Sequence, residues 1–268
     1  MKPLSIAFAK GRLVWVPERD VPFFARHTVL TNLTIEHRRK GRLYEIYDLG
    51  PGLTTNVGAT AMANDFAWAA PSGASVATLA LANYHAVGTG TNAAAATDIA
   101  LQTLAGPTTT TAVTGTQSLS SAANTQIYKT VSTINFTGTE AITEWGLHTA
   151  ATLSATTGTP FTATTSTTAT VTGTPYTASS TTVKGEQQLI VVPGTTAVYG
   201  LILSNTTSAL TIPAWYTVSG GTAGSTPGAT EAFVLKPVLY DHKVFSALNV
   251  VNGDSLTPTY SLTVASGN

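Results

Sequence analysis

Glu144 and His148 stand four residues apart in ITEWGLHTA. On a helix that spacing would face both side chains across one turn, suiting acid–base chemistry or two ligands of a metal ion. Trp145, Gly146 and the flanking threonines favour a strand edge or a turn instead. No GxSxG-type nucleophile turn accompanies the pair. The other histidines, at 27, 37, 85 and 242, include no two at metal-ligand spacing, the nearest being ten apart. The chain has no cysteine, which removes thiolate metal sites, disulfides and cysteine nucleophiles together. Glycan hydrolysis needs paired carboxylates flanking a groove, and acids are scarce beyond residue 48. No enzymatic activity, metal or cofactor is expected.

A second candidate is Gly88-Thr89-Gly90 in YHAVGTGTNAAAATDIALQT, which resembles a phosphate-cradling loop at first sight. A dinucleotide fingerprint requires another glycine three residues after the second, and Ala93 occupies that place. A Walker loop requires Gly-Lys-Ser/Thr, and no lysine occurs between Lys40 and Lys129. The pattern reads better as VATLALANYHAVGTG running as a strand into a glycine turn. Thr97 or Asp98 would then cap a short helical turn at ALQT.

The third candidate is the basic run HRRKGR at 37–42. Residues 1–48 hold nine Lys/Arg against five acids, whereas the remainder holds four against eight, so the formal net charge is zero but unevenly placed. Only 10% of residues are charged, and Thr, Ser, Ala and Gly fill the difference. The body lacks the spread of Arg and Lys that nucleic-acid binding needs. A surface so poor in ions suits packing against other copies or a larger assembly.

These candidates need positioning elements, and the pattern is β. Segments rich in Val, Ile, Thr, Tyr and Leu recur between Gly, Pro, Ser and Asn clusters: VATLALAN (76–83), QIYKTVSTINF (126–136), QQLIVV (187–192), AVYGLILS (197–204), LTIPAWYTV (210–218), AFVLKPVLY (232–240), VFSALNVV (244–251) and TYSLTV (259–264). In the last, Tyr260, Leu262 and Val264 share one face. Between these lies a repeat: TGTPFTATTSTT (157–168) is echoed by TGTPYTASSTTV (172–183), with Phe161 and Tyr176 in equivalent places. Fifteen residues is about one hairpin, so two strand–turn units are expected, with a disordered Thr/Ser linker as the alternative. Pro17 and Pro22 argue against a long helix near the start, leaving an extended arm or a strand pair. No apolar run approaches the roughly 18 residues of a membrane span, and the opening residues do not form a signal peptide, so folding in a cytoplasm is expected.

The expected fold is all-β, an antiparallel sandwich of jelly-roll or Ig-like type. Residues 1–50 would form a basic arm, 51–150 plus 231–268 the sandwich, and 151–230 an inserted Thr/Ser-rich β region.

Four stretches resemble tailed-bacteriophage virion proteins: LTTNVGATAMANDFAW (53–68), LANYHAVGTGTNAAAATDIALQT (81–103), GTQSLSSAANTQIYKTVSTINFTGTEAITEWGLHTA (115–150) and KVFSALNVVNGDSLTPTYSLTV (243–264). They cover a little over a third of the chain. Similar blocks occur in head decoration, neck and tail-fibre-associated proteins. The resemblance implies a non-enzymatic building block of the virion and carries over no catalytic residue. A capsid decoration protein, trimeric on the outer face of the major capsid protein lattice, is the first expectation. Arg38, Arg39, Lys40 and Arg42 would pair with capsid carboxylates, and Trp15, Phe23 and Phe24 would bury as anchors. The alternative is a tail-fibre or receptor-binding module that reads host surface glycans through Tyr176, Trp215 and Tyr216.

Overall fold

The computed structural model describes residues 4–9, 12–17, 28–67, 81–122, 125–154, 156–158, 160–176, 178, 189–194 and 197–265. In chain order, β1 (Leu4–Ala9) and β2 (Arg12–Pro17) pair as a hairpin. β3 (Thr28–Arg39) and β4 (Arg42–Gly50) form a second hairpin, followed by β5 (Leu53–Thr54) and helix α1 (Asn56–Ala67). Next come β6 (Tyr84–Gly88), β7 (Val113–Thr114), β8 (Thr116–Ala122), β9 (Thr125–Val131), β10 (Ile134–Asn135) and β11 (Glu140–His148). An excursion supplies β12 (Thr156–Thr157), β13 (Phe161–Thr164), β14 (Thr168–Val171), β15 (Leu189–Val192), β16 (Val198–Leu201), β17 (Ser204–Asn205), β18 (Ala209–Thr211), β19 (Trp215–Thr217) and β20 (Val234–Lys236). The long strands β21 (Leu239–Val250) and β22 (Asp254–Ala265) follow.

Two antiparallel sandwiches result. The first packs the sheet β4-β3-β22-β9-β8, in which β10 also pairs with β22, against β5-β21-β11-β6-β7. Its core holds Leu33, Ile35, Trp145, Leu147, Leu256 and Tyr260. The second packs β12-β20-β15-β16-β19 against β13-β14-β18-β17 around Phe161, Tyr176, Ile190, Leu210, Trp215 and Phe233. The all-β sandwich expectation holds.

Alternation dictates the inner faces. Along β22, Asp254, Leu256, Pro258, Tyr260 and Leu262 are buried while the residues between them are half-buried. Pro258 sits mid-strand, where a proline ordinarily breaks a ladder. Its carbonyl accepts from Ser132 N, so its donor-less nitrogen faces the break between β9 and β10 and leaves the ladder with β3 uninterrupted.

Helix α1 joins the two bodies. Thr55 caps it by accepting from Gly58 N, and Val57 and Ala61 pack with Leu189, Val191, Tyr199 and Leu201 of the second sandwich. Gly58 lies against the Tyr240 backbone, where a Cβ would overlap the carbonyl.

Several boundaries differ from the sequence expectation. Residues 28–50 are not an arm: β3 lies between β4 and β22 inside the first sandwich, with Leu33 and Ile35 fully buried. The excursion runs to β20, so the first sandwich resumes at β21 rather than at residue 231. Strand β6 begins at Tyr84, and residues 81–83 of the expected strand 76–83 are not in a strand, the rest lying outside the described residues. The first repeat copy supplies β13 and the turn into β14, whereas half of the second lies outside the described residues and its described half, 172–176 and 178, contains no strand. Among the described residues, no helix is long and apolar enough to cross a membrane.

Candidate functional site

Strand β11 turns Trp145 and Leu147 into the first core and leaves Glu144, Gly146 and His148 on the opposite face, beneath the segment that follows β6. Glu144 is completely buried there. Its Oε1 accepts from Gly90 N at 3.0 Å and Thr103 N at 2.8 Å, and its Oε2 accepts from Gln102 N at 3.0 Å. The glycine turn is therefore an anion cradle whose occupant is the protein's own carboxylate. Cβ atoms at Gly88 and Gly90 would collide with Glu144 Oε1, which is the physical reason for both glycines.

His242 completes the network from β21. Its Nε2 lies 3.1 Å from Glu144 Oε2 and its Nδ1 lies 2.8 Å from Asp98 Oδ2, which also accepts from Ala95 N. Burial pulls the imidazole down, but the two carboxylates outweigh it and hold its pKa above the ordinary value. Burial likewise pushes Glu144 up, and the bonds from His242 and the three amides bring it below the usual range. A carboxylate so saturated is a fixed charge rather than a proton carrier. Asp98 does not cap a helical turn, because residues 99–103 are irregular and its carboxylate is used on His242.

His148, the sequence partner of Glu144, is fully buried and neutral. Burial and the charge on His242 lower its pKa to about 4. His85, on β6, is driven to about 3 by burial. Among the described residues, no group of three His, Cys, Asp or Glu side chains could hold a metal ion.

The basic run forms a second network, at the β3–β4 turn. Lys40 and Gly41 both have positive φ, 50° and 78°, as a two-residue hairpin loop of the I′ kind requires. Asp254 is buried below, accepting from Arg39 Nη2 at 3.2 Å and Val251 N at 3.1 Å, with His37 Nε2 2.9 Å away. Burial raises its carboxyl, but His37, Arg39 and the amide together lower it. The Arg39 guanidinium also lies 4.6 Å over the Tyr44 ring, and Arg38 Nη2 donates to Glu36 at 2.8 Å. Two of the four cations chosen from sequence are thus tied to the chain's own acids. Lys40 and Arg42 have no ionic partner among the described residues. Beside them, Leu43, Tyr44 and Ile46 of the edge strand are 50%, 59% and 57% exposed.

Of the aromatic anchors, Trp15 stands on β2 opposite Ile6, while Phe23 and Phe24 lie outside the described residues. The glycan-reading aromatics are placed otherwise than expected. Tyr176 and Trp215 are buried in the second core, and half-buried Tyr216 stacks on Tyr199 at 5.4 Å.

Sequence reasoning missed Asp254 and His242. The first follows an Asn-Gly turn, but its side-chain partners lie more than 210 positions away, and nothing local marks the second. No protein-family model, curated protein or solved structure matches the chain.

Proposed function

We propose that this chain is a non-enzymatic structural protein of a tailed-bacteriophage virion, seated as a trimeric decoration protein on the outer face of the major capsid protein lattice. The observation that carries the reading is where the phage-like blocks fall. All four contribute to one body: 53–68 supplies β5 and α1, 81–103 supplies β6 and the cradle loop, 115–150 supplies β8 to β11, and 243–264 supplies most of β21 and β22. The last three meet in the first core, and Met62 of the first block packs against it.

The use of ionisable groups supports it further. Glu144, His242 and Asp254 are spent as internal fasteners, a use that favours a rigid building block over proton transfer. The β3–β4 tip is the contact candidate, with Lys40 and Arg42 available for partner carboxylates and Leu43, Tyr44 and Ile46 for apolar contact. The buried Asp254 holds Arg39, and Arg39 holds the Tyr44 ring, so the exposed aromatic is preorganised.

Quantitative mass spectrometry of purified virions tests the reading. A decoration protein is present at about one copy per major capsid subunit, or at least roughly a third of that. A ratio on the order of a few per hundred subunits would place it at the neck or tail instead.

A further inference from the structure

The segment between β6 and the Leu101–Thr103 stretch is fastened at unequal strength. Its ends are held by Gly90, Gln102 and Thr103 amides on fully buried Glu144. Its middle is held to β21 by the contact of Asp98 with His242, with Ala95 N also bonded to the Asp98 carboxylate. Two further ties do not depend on His242: Asn92 exchanges bonds with the Gln102 side chain, and the Ala96 carbonyl accepts from Asn56 N at 2.6 Å. Thr91, Ala93 and Ala94 of this middle form one wall of an open cleft of about 540 Å³. The facing walls are Pro51–Leu53 and His242–Ser246, pinned by Lys243 Nζ donating to the Pro51 carbonyl at 2.7 Å.

We propose that the Asp98–His242 contact is a proton-operated latch, which fastens the Ala95–Asp98 turn to β21 beside the cleft while the imidazole carries both protons and frees that turn when it carries one, the segment staying hinged on its Asn92 and Ala96 bonds.

The argument is one of valence. His242 faces a carboxylate at each ring nitrogen, and only the imidazolium can donate to both. Neutral imidazole keeps one N–H and must aim a lone pair at the other carboxylate. Glu144 has no access to water, so an unpaired contact there is costly. The Asp98 side chain is 23% exposed and can turn to solvent. The N–H therefore stays with Glu144, and Asp98 lets go. The other ionisable neighbours of His242 are neutral His148 beneath it on β11 and Asp241 and Lys243 beside it on β21. Because the two carboxylates hold the His242 pKa above the ordinary 6.5, the latch opens at higher pH than that at which an ordinary histidine gives up its proton.

The test combines NMR titration of the His242 ring with amide exchange of the intact protein, using protection factors corrected for the intrinsic pH dependence of exchange. From about pH 6 to about pH 10, protection at Ala95 should fall by about tenfold or more as the ring deprotonates, while Gln102 and Thr103 stay protected. Asp98→Asn should lower Ala95 protection already at pH 6 and bring the ring's titration toward that of an ordinary histidine. The proposal is overturned by Ala95 protection that stays constant through the titration, by Ala95 and Gln102 losing protection together, or by a ring that does not titrate in this range.

Discussion

The Trp145 indole Nε1 donates to His85 Nδ1 at 3.2 Å, and His85 Nε2 lies 3.1 Å from Thr130 Oγ1. The indole fixes the tautomer: Nδ1 must be bare, so Nε2 carries the proton and donates to the threonine.

A second proton on His85 would displace the indole, which makes it an acid-sensitive point. Its folded pKa of about 3 lies below the ordinary 6.5, so its stabilising contribution is complete above pH 6.5 and is lost as pH falls toward 3. The loss amounts to roughly 4–5 kcal/mol at most. His148 adds a similar loss over 6.5 to about 4. In His85→Gln, urea unfolding between pH 6.5 and pH 4 should show about one fewer proton taken up on unfolding. An unchanged slope of stability against pH would contradict the tautomer assignment.

Asp241 works in the opposite sense. Buried beside Tyr260, its carboxyl is pushed up to about 7, above the ordinary 3.8. The contribution is complete below pH 3.8 and is lost as pH rises through 7. Asp241→Asn should therefore stabilise the fold by about 2–4 kcal/mol at pH 8 and by much less at pH 4. Denaturant midpoints at the two pH values measure the difference, and equal shifts at both would refute it.

The glycine cradle predicts a graded pair of substitutions. Gly88→Ala drives a Cβ into the Thr103 carbonyl and Glu144, and should cost about 2–4 kcal/mol. Gly138→Ala meets nothing within 4 Å and should stay within about 0.5 kcal/mol of the parent. Thermal melts of the two variants compare them directly, with equal melting temperatures counting against the cradle.

The basic turn separates fold from binding. Arg39→Glu places a carboxylate against buried Asp254 and should lower the melting temperature by several degrees. Lys40→Glu with Arg42→Glu should leave melting unchanged but reduce occupancy on capsids in a sedimentation assay. Full occupancy by that double variant would remove the turn from the contact surface.

Much of the fold can be read from local pattern. The alternation in TYSLTV places Tyr260 and Leu262 in the core, and the repeated Pro-aromatic pair puts Phe161 and Tyr176 into the same cluster. Strand β3 is harder, because its inward face continues from Leu33 and Ile35 into His37, a residue type that reads as surface until Asp254 is known to lie beneath it. A hairpin tip gathers charge by geometry, so HRRKGR resembled a free arm. The cradle illustrates a different limit. The glycines announce that a backbone must approach an anion closely, but spacing offered His148 as the companion of Glu144, while its true partners come from a loop some 40–55 positions earlier and a strand 98 later.

The position of β3 between β4 and β22 has a consequence for biosynthesis. Arg39 and Asp254 are 215 residues apart, so the centre of the first sandwich stays open while almost the entire intervening chain leaves the ribosome. The second sandwich, whose strands all lie between 156 and 236, can close during that interval. An interrupted polypeptide then exposes the unpaired β3 edge and lacks the finished surface of the first sandwich.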